Sequence, residues 1–132
     1  MTNNLQDYSH KRYNILTREW VLVSPHRSKR PWQGQNEEIS NEQRPTHDPT
    51  CYLCANNTRI NGEKNPDYDD VFVFTNDFAA LQTTSPNFSV NEGLCIAKSE
   101  KGICKVICFS PDHSKSLADM EVSEINKVVK VW

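Results

Sequence analysis

Apolar and polar positions alternate along this chain in short runs. Glu19-Trp-Val-Leu-Val-Ser24 is rich in β-branched and aromatic residues and predicts a strand. Val71-Phe-Val-Phe-Thr75 predicts a second strand. Leu94 to Lys98 and Ile103 to Ser110 predict two more, joined as a hairpin across Ser99-Glu-Lys-Gly102. Residues 1 to 12 are polar and predict loose chain, and Thr83 to Gly93 predicts a loop. After Ser110-Pro-Asp-His-Ser114, Ile125, Val128, Val129 and Trp132 take the i, i+3, i+4, i+7 spacing of an amphipathic helix. The sequence stops at a tryptophan on that apolar face with no Gly, Asn or Pro terminator, so truncation inside the helix is the expectation.

Between the strands the chain is strongly polar. Ser24-Pro-His-Arg-Ser-Lys-Arg-Pro-Trp32 holds three cations and two prolines, which excludes a regular helix or a central strand. Residues 33–49 turn to Asn, Glu, Gln, Ser and Pro and predict an exposed connection. Asn61-Gly62 and Asn65-Pro66 punctuate the stretch from Asn56 to Tyr68 as turns.

Composition narrows the class. A chain of 132 residues with 36% hydrophobic residues and a mean hydropathy of -0.71 can build only a thin core, since one this size buries about two-thirds of its unfolded surface. Lys and Arg number 15 against 17 Asp and Glu, a net charge of -2, so no global basic field points to nucleic acid or an anionic membrane. No run approaches the roughly 18 apolar residues of a membrane span, and the start lacks the apolar core of a secretory signal. The expected compartment is the cytoplasm, where five cysteines read as thiols or metal ligands rather than a disulfide framework.

Cys51-Tyr-Leu-Cys54 is the sharpest chemical signal: a two-residue spacer lets a tight knuckle present both sulfurs to one tetrahedral ion. A pair of ordinary loop thiols stays open as a reading. His113, aimed by the loop after a strand, is the best third ligand, with His47, four residues before Cys51, as its rival. Cys95, Cys104 and Cys108 lie on strand-like runs and read as buried small hydrophobes. Arg27, Lys29 and Arg30 form a cationic loop that can grip a phosphate or simply stay solvated. Phe74-Thr-Asn-Asp-Phe78 puts Asn76 and Asp77 just past a strand, where they contact a ligand or close an Asx-turn.

Taken in order, Arg12-Tyr-Asn14, Val21 to Trp32, Cys51-Tyr-Leu-Cys54, Lys64-Asn-Pro-Asp-Tyr68, Phe74-Thr-Asn-Asp-Phe-Ala-Ala80 and Val106-Ile-Cys-Phe-Ser-Pro-Asp-His-Ser114 resemble the N-terminal part of the galactose-1-phosphate uridylyltransferase family, over about His10 to Trp132. The resemblance implies a histidine triad superfamily member with an α+β fold, a mostly antiparallel sheet making a half-barrel in a homodimer. It implies a nucleotidyltransferase exchanging UMP between UDP-glucose and galactose 1-phosphate through a uridylylated histidine. It also implies zinc on Cys51, Cys54, His113 and one downstream histidine, favouring His113 over His47. Asn76 and Asp77 match positions that hold the uridine ribose and nearby groups. Arg59 and Ile60 sit in a stretch lining the nucleotide pocket, and Arg27 and Arg30 match residues reaching the phosphates from the neighbouring subunit.

One departure matters. The family nucleophile lies in a His-Pro-His motif, and no such motif occurs here, so residues 1–132 are read as the N-terminal part of one uridylyltransferase domain with no catalytic residue of their own. The nucleophile and fourth zinc ligand are expected downstream of Trp132, leaving the 132 residues alone inactive. Two other readings remain: a related nucleotidyltransferase with another acceptor, and a non-catalytic zinc-binding or interaction module.

Overall fold

The computed structural model describes residues 4–30 and 44–132; residues 33–43 of the expected exposed connection lie outside the described residues. The fold is α+β with mostly antiparallel pairing, as expected. Its elements are α1 (Asn4–Asp7), β1 (His10–Asn14), β2 (Glu19–Val23), a 3-10 turn (Pro25–Lys29), β3 (Phe72–Thr75), β4 (Ser89–Glu92), β5 (Cys95–Ser99), β6 (Lys105–Cys108), a 3-10 turn (Leu117–Asp119) and α2 (Val122–Val131). They fall into two compact units, one through residues 4–30 and 78–105 and the other through 44–77 and 106–132.

The first unit carries a four-stranded sheet in the order β2-β1-β5-β4. β2 forms where the β-branched run predicts it. β1 lies where loose chain was expected. Its alternation is hidden in the sequence because the inward positions are polar: His10 is fully buried, its Nδ1–H donating to the Tyr8 carbonyl (2.8 Å) while its Nε2 accepts from Arg12 Nε–H (3.0 Å). With both ring nitrogens partnered, a histidine can sit inside without the penalty of an unpaired polar group. Lys11 turns outward to Glu100 at 2.8 Å. The β1–β2 turn closes through Arg18 in the left-handed region (φ 59°), and the Asn14 side chain accepts the Leu16 amide (3.0 Å), an Asx-turn.

The expected hairpin between residues 94–98 and 103–110 does not form. β5 instead pairs with β4 and β1, and β6 pairs with β3 in a separate two-stranded sheet. The true hairpin turn is Gly93-Leu94, with Glu92 opposite Cys95 and Gly93 at φ +60°, the left-handed first position that two-residue hairpin turns demand. So part of the expected Thr83–Gly93 loop is strand. The Ser99–Gly102 segment runs against residues 81 and 82: Gln82 bridges Lys101, and a Cβ on Gly102 would come within 2.6 Å of Leu81 Cδ1. Ala97, 1% exposed, marks the centre of the sheet. Cys95 is exposed at the mouth of the turn, against the expectation of burial; Cys104 is half-buried and Cys108 buried.

The second unit holds β3, β6, α2 and the Cys51–Cys54 knuckle, with Cys54, Ala55, Cys108, Met120 and Val128 as its buried apolar residues. Of the predicted helical stripe, Val128 is buried and Ile125 half-buried, whereas Val129 and Trp132 are exposed. The entry to α2 is built from carboxylates. Asp119 accepts the Ser116 amide and hydroxyl (2.9 and 2.7 Å), and Glu124 accepts the Glu121 amide (2.9 Å) and pairs with Lys115 (3.0 Å).

Those bonds hold both acids below their ordinary values: the Ser116 hydroxyl acts chiefly on Asp119, and the Glu121 amide, then Lys115, on Glu124. A depressed folded pKa contributes stability that is present above the unfolded pKa and lost as pH falls through the folded one. Tm is therefore expected to fall as pH drops from about 5 toward 3, near the unfolded carboxylate values. In Glu124→Gln that slope should be shallower; an unchanged slope in a thermal titration would refute the assignment.

Candidate functional site

Cys51, Cys54 and His113 converge in the second unit. Their ligand-type atoms all lie within 4.8 Å of one another, and Cys54 Sγ is 3.4 Å from His113 Nδ1. Chain separation across the pair is 59 residues, so the fold rather than local spacing assembles the group. His113 is placed by its own loop: its amide donates to the Thr46 carbonyl (2.8 Å), and Asp112 accepts the Ser114 amide and hydroxyl (2.9 and 2.6 Å). His47 stays outside the group, its Nε2–H donating to the Ala55 carbonyl at 3.0 Å.

The knuckle is held open by side chains. Each carbonyl from Cys51 to Cys54 accepts one: Cys51 from Asn57 (2.7 Å), Tyr52 from Asn65 (2.9 Å), Leu53 from the Tyr68 hydroxyl (2.6 Å), Cys54 from Asn65 (3.0 Å). Asn57 also donates to the Asp48 carbonyl at 2.8 Å. Asn57, Asn65 and Tyr68 read in the sequence as turn residues, and their role became visible only with the carbonyls they reach. Asn65 is 1% exposed, so its amide is committed to this work. Asp48 is a further residue that sequence reasoning missed, its Oδ2 standing 4.0 Å from His113 Nε2 while Oδ1 accepts the Thr50 amide and hydroxyl.

The surroundings of Cys54 disfavour a bare thiolate. Burial pushes the Cys54 thiol up, and neighbouring Cys51 and Asp48 also resist its ionisation, although a backbone hydrogen bond at Asp48 acts in the opposite sense. Burial likewise raises Cys108 and Tyr68. Two thiols and an imidazole in one cluster form a soft donor set for a tetrahedral metal ion, which would offset the charge that burial disfavours.

Beside the knuckle, Arg59 is buried, its side chain 7% exposed. It pairs with Glu63, donates from Nη1 to Asn65 Oδ1 (3.3 Å), and lies over the Phe74 ring at 4.3 Å. Its Nε is 3.3 Å from Asp77 Oδ2, an ion pair by distance whose N–H is too poorly aimed to count as a hydrogen bond. Asp77 Oδ1 accepts from Asn61 Nδ2 at 2.8 Å. Ile60 is half-buried next to Arg59, and Asn76 is half-buried next to Asp77.

In the first unit, Arg27 and Arg30 are exposed and line a cleft of about 530 Å³ with Leu22, Ser24, Ser28 and Ala80. The cleft wall is pinned by Ser24 Oγ donating to the Ala80 carbonyl and His26 Nε2 donating to the Ala79 carbonyl, each at 2.7 Å. No helix among the described residues is long and apolar enough to cross a membrane.

Residues 1–132 match the family described as galactose-1-phosphate uridyl transferase, N-terminal domain. A galactose-1-phosphate uridylyltransferase of Haemophilus influenzae is 54% identical over 96% of this chain and 36% of its own length. The enzyme of that name from Kluyveromyces lactis is 48% identical over 100% of this chain and 38% of its own, and that of Saccharomyces cerevisiae 41% over 98% and 37%. The chain thus spans over a third of the length of these relatives. With the match running through the cysteine knuckle, the Asn76-Asp77 turn and the His113 loop, the chain belongs to the galactose-1-phosphate uridyl transferase family, in its N-terminal domain.

Proposed function

We propose that this chain supplies the N-terminal part of a galactose-1-phosphate uridylyltransferase, a cytoplasmic homodimer that exchanges UMP between UDP-glucose and galactose 1-phosphate. The observation that carries the reading is the family match over all 132 residues. Zinc is the metal assigned to Cys51, Cys54 and His113, because two sulfurs and one imidazole suit it better than a hard, oxygen-seeking cation. Its contribution here is structural: it joins the knuckle to the loop that follows β6. Asn76 and Asp77 are assigned to the uridine ribose, with Arg59 and Ile60 in the wall behind them. Arg27 and Arg30, exposed on their cleft, are assigned to the phosphates of a nucleotide held by the other subunit.

No His-Pro-His occurs in the 132 residues, so the nucleophile belongs to a segment outside them. In that step a histidine nitrogen attacks the α-phosphorus of UDP-glucose, the bond from that phosphorus to the bridging oxygen breaks, and glucose 1-phosphate leaves. The 132-residue chain is expected to form no UDP-galactose from UDP-glucose and galactose 1-phosphate. A longer form carrying His-Pro-His is expected to release glucose 1-phosphate from UDP-glucose alone and to gain the mass of a uridylyl group, UMP less water, on a histidine. Turnover by the short chain, or none by the longer form, would overturn the reading.

A further inference from the structure

The metal knuckle and Asp77 are joined by an unbroken run of side-chain contacts inside one unit. Asn65 bonds the Tyr52 and Cys54 carbonyls through Nδ2 and Arg59 through Oδ1; Arg59 in turn stands beside Asp77 as an ion pair, its Nε 3.3 Å from Oδ2. Both intermediates are buried, and Phe74 caps the guanidinium at 4.3 Å. Asn61 fixes the second oxygen of Asp77. Asp77 is thus held on one oxygen by a hydrogen bond from Asn61 and on the other by the charge of Arg59, whose place in turn depends on Asn65 and, through it, on the backbone of Cys54.

We propose that Arg59 and Asn65 are positioning residues that couple the metal knuckle to Asp77, so that metal occupancy and the aim of the nucleotide-contacting carboxylate are one linked equilibrium. The proposal rests on the zinc and ribose assignments made above. Arg59 then works through Asp77 rather than by touching the nucleotide, which fits a guanidinium shut between an aromatic ring, two carboxylates and an amide. Linkage makes the coupling two-way: metal that steadies Asp77 is itself held less tightly when Asp77 is loosened.

That reciprocity supplies a test needing no turnover. Zinc affinity of the 132-residue chain is measured by competition with a chromophoric chelator for the parent, Asp77→Asn, Asn65→Ser and the double variant. Asn65→Ser is expected to weaken zinc roughly 10- to 100-fold, as loss of outer-shell partners does. Asp77→Asn, at a residue that is no metal ligand, is expected to weaken it by about 5- to 10-fold, at the low end of site-to-site couplings, and to add nothing in the Asn65→Ser background. The second readout, in the parent chain, is the ¹⁵N resonance of the Arg59 Nε–H beside Asp77, which should shift when zinc is chelated. This measurement stands if Asn65→Ser fails to fold. Zinc bound tightly and equally by parent and Asp77→Asn, or an Arg59 signal indifferent to chelation, would overturn the coupling while leaving the metal site in place. A parent chain that binds no zinc would overturn both.

Discussion

Cys54→Ser is expected to leave the chain without stoichiometric zinc under conditions where the parent holds one ion. A serine hydroxyl is not ionised near neutral pH and is a poor ligand for a borderline-soft metal, so one of the three donors here disappears. Outer-shell changes alone weaken metal sites by about 10- to 100-fold, and losing a direct thiolate should exceed that. Stability should follow. Metal that binds the folded chain alone adds RT ln(1 + [Zn]/Kd), about 4 kcal/mol at a thousandfold excess over Kd. The parent should therefore lose several degrees of Tm on chelation, and Cys54→Ser should lose little more. Cys95→Ser, at an exposed cysteine that is not one of the three donors, is the control expected to behave as the parent. Equal metal content in parent and Cys54→Ser by native mass spectrometry would remove the knuckle from any metal role.

Arg59→Ala should be among the most damaging single substitutions. It removes the cation that faces Asp77 and Glu63, strips Asn65 Oδ1 of a donor, and leaves a void over Phe74. Breaking a buried ion pair from one side costs about 3–5 kcal/mol because the remaining charge stays buried and unpaired. Asp77, 11% exposed, is the residue left in that position; Glu63, 68% exposed, can turn to water. Against a total stability of about 5–15 kcal/mol this is a large share. Urea unfolding of Arg59→Ala should show a much lower midpoint, Arg59→Lys an intermediate one because it keeps the charge but not the planar fork, and Glu63→Gln almost none. A midpoint for Arg59→Ala within error of the parent would mean that the guanidinium is not integrated as described.

The sequence made β2 and β3 legible because their apolar residues are consecutive and β-branched or aromatic. It hid β1 because Lys11 and Arg12 dominate the composition while His10 does the inward packing, paired on both nitrogens. β4 was hidden for the opposite reason: Ser-Val-Asn-Glu offers a single apolar side chain and gains its place from pairing with β5. Strands adjacent in the sequence, β5 and β6, are not partners in the fold. Which edge β5 takes is decided by β1, far away in the sequence, and by the left-handed turn at Gly93. At the site, the three donors are legible by residue type, with His113 preferred over His47 from its loop after a strand and further by the family resemblance. Asp48, Asn57 and Asn65 are not, since an amide that closes a turn and one that braces a metal knuckle are written with the same letter.

The sheet order β2-β1-β5-β4 also sets a timetable for synthesis. On a ribosome the β1–β2 hairpin emerges long before β5, and the intervening chain includes much of the other unit, cysteine knuckle included. Until Cys95–Ser99 arrives, β1 presents an unpaired edge backed by a hairpin whose Trp20, Val21 and Leu22 are exposed. Such an edge is a template for the wrong strand, and pairing across so long a separation is slow. The nascent chain is thus most exposed to misassembly in the interval between its second and fifth strands, and that is the window in which a chaperone would have most to protect.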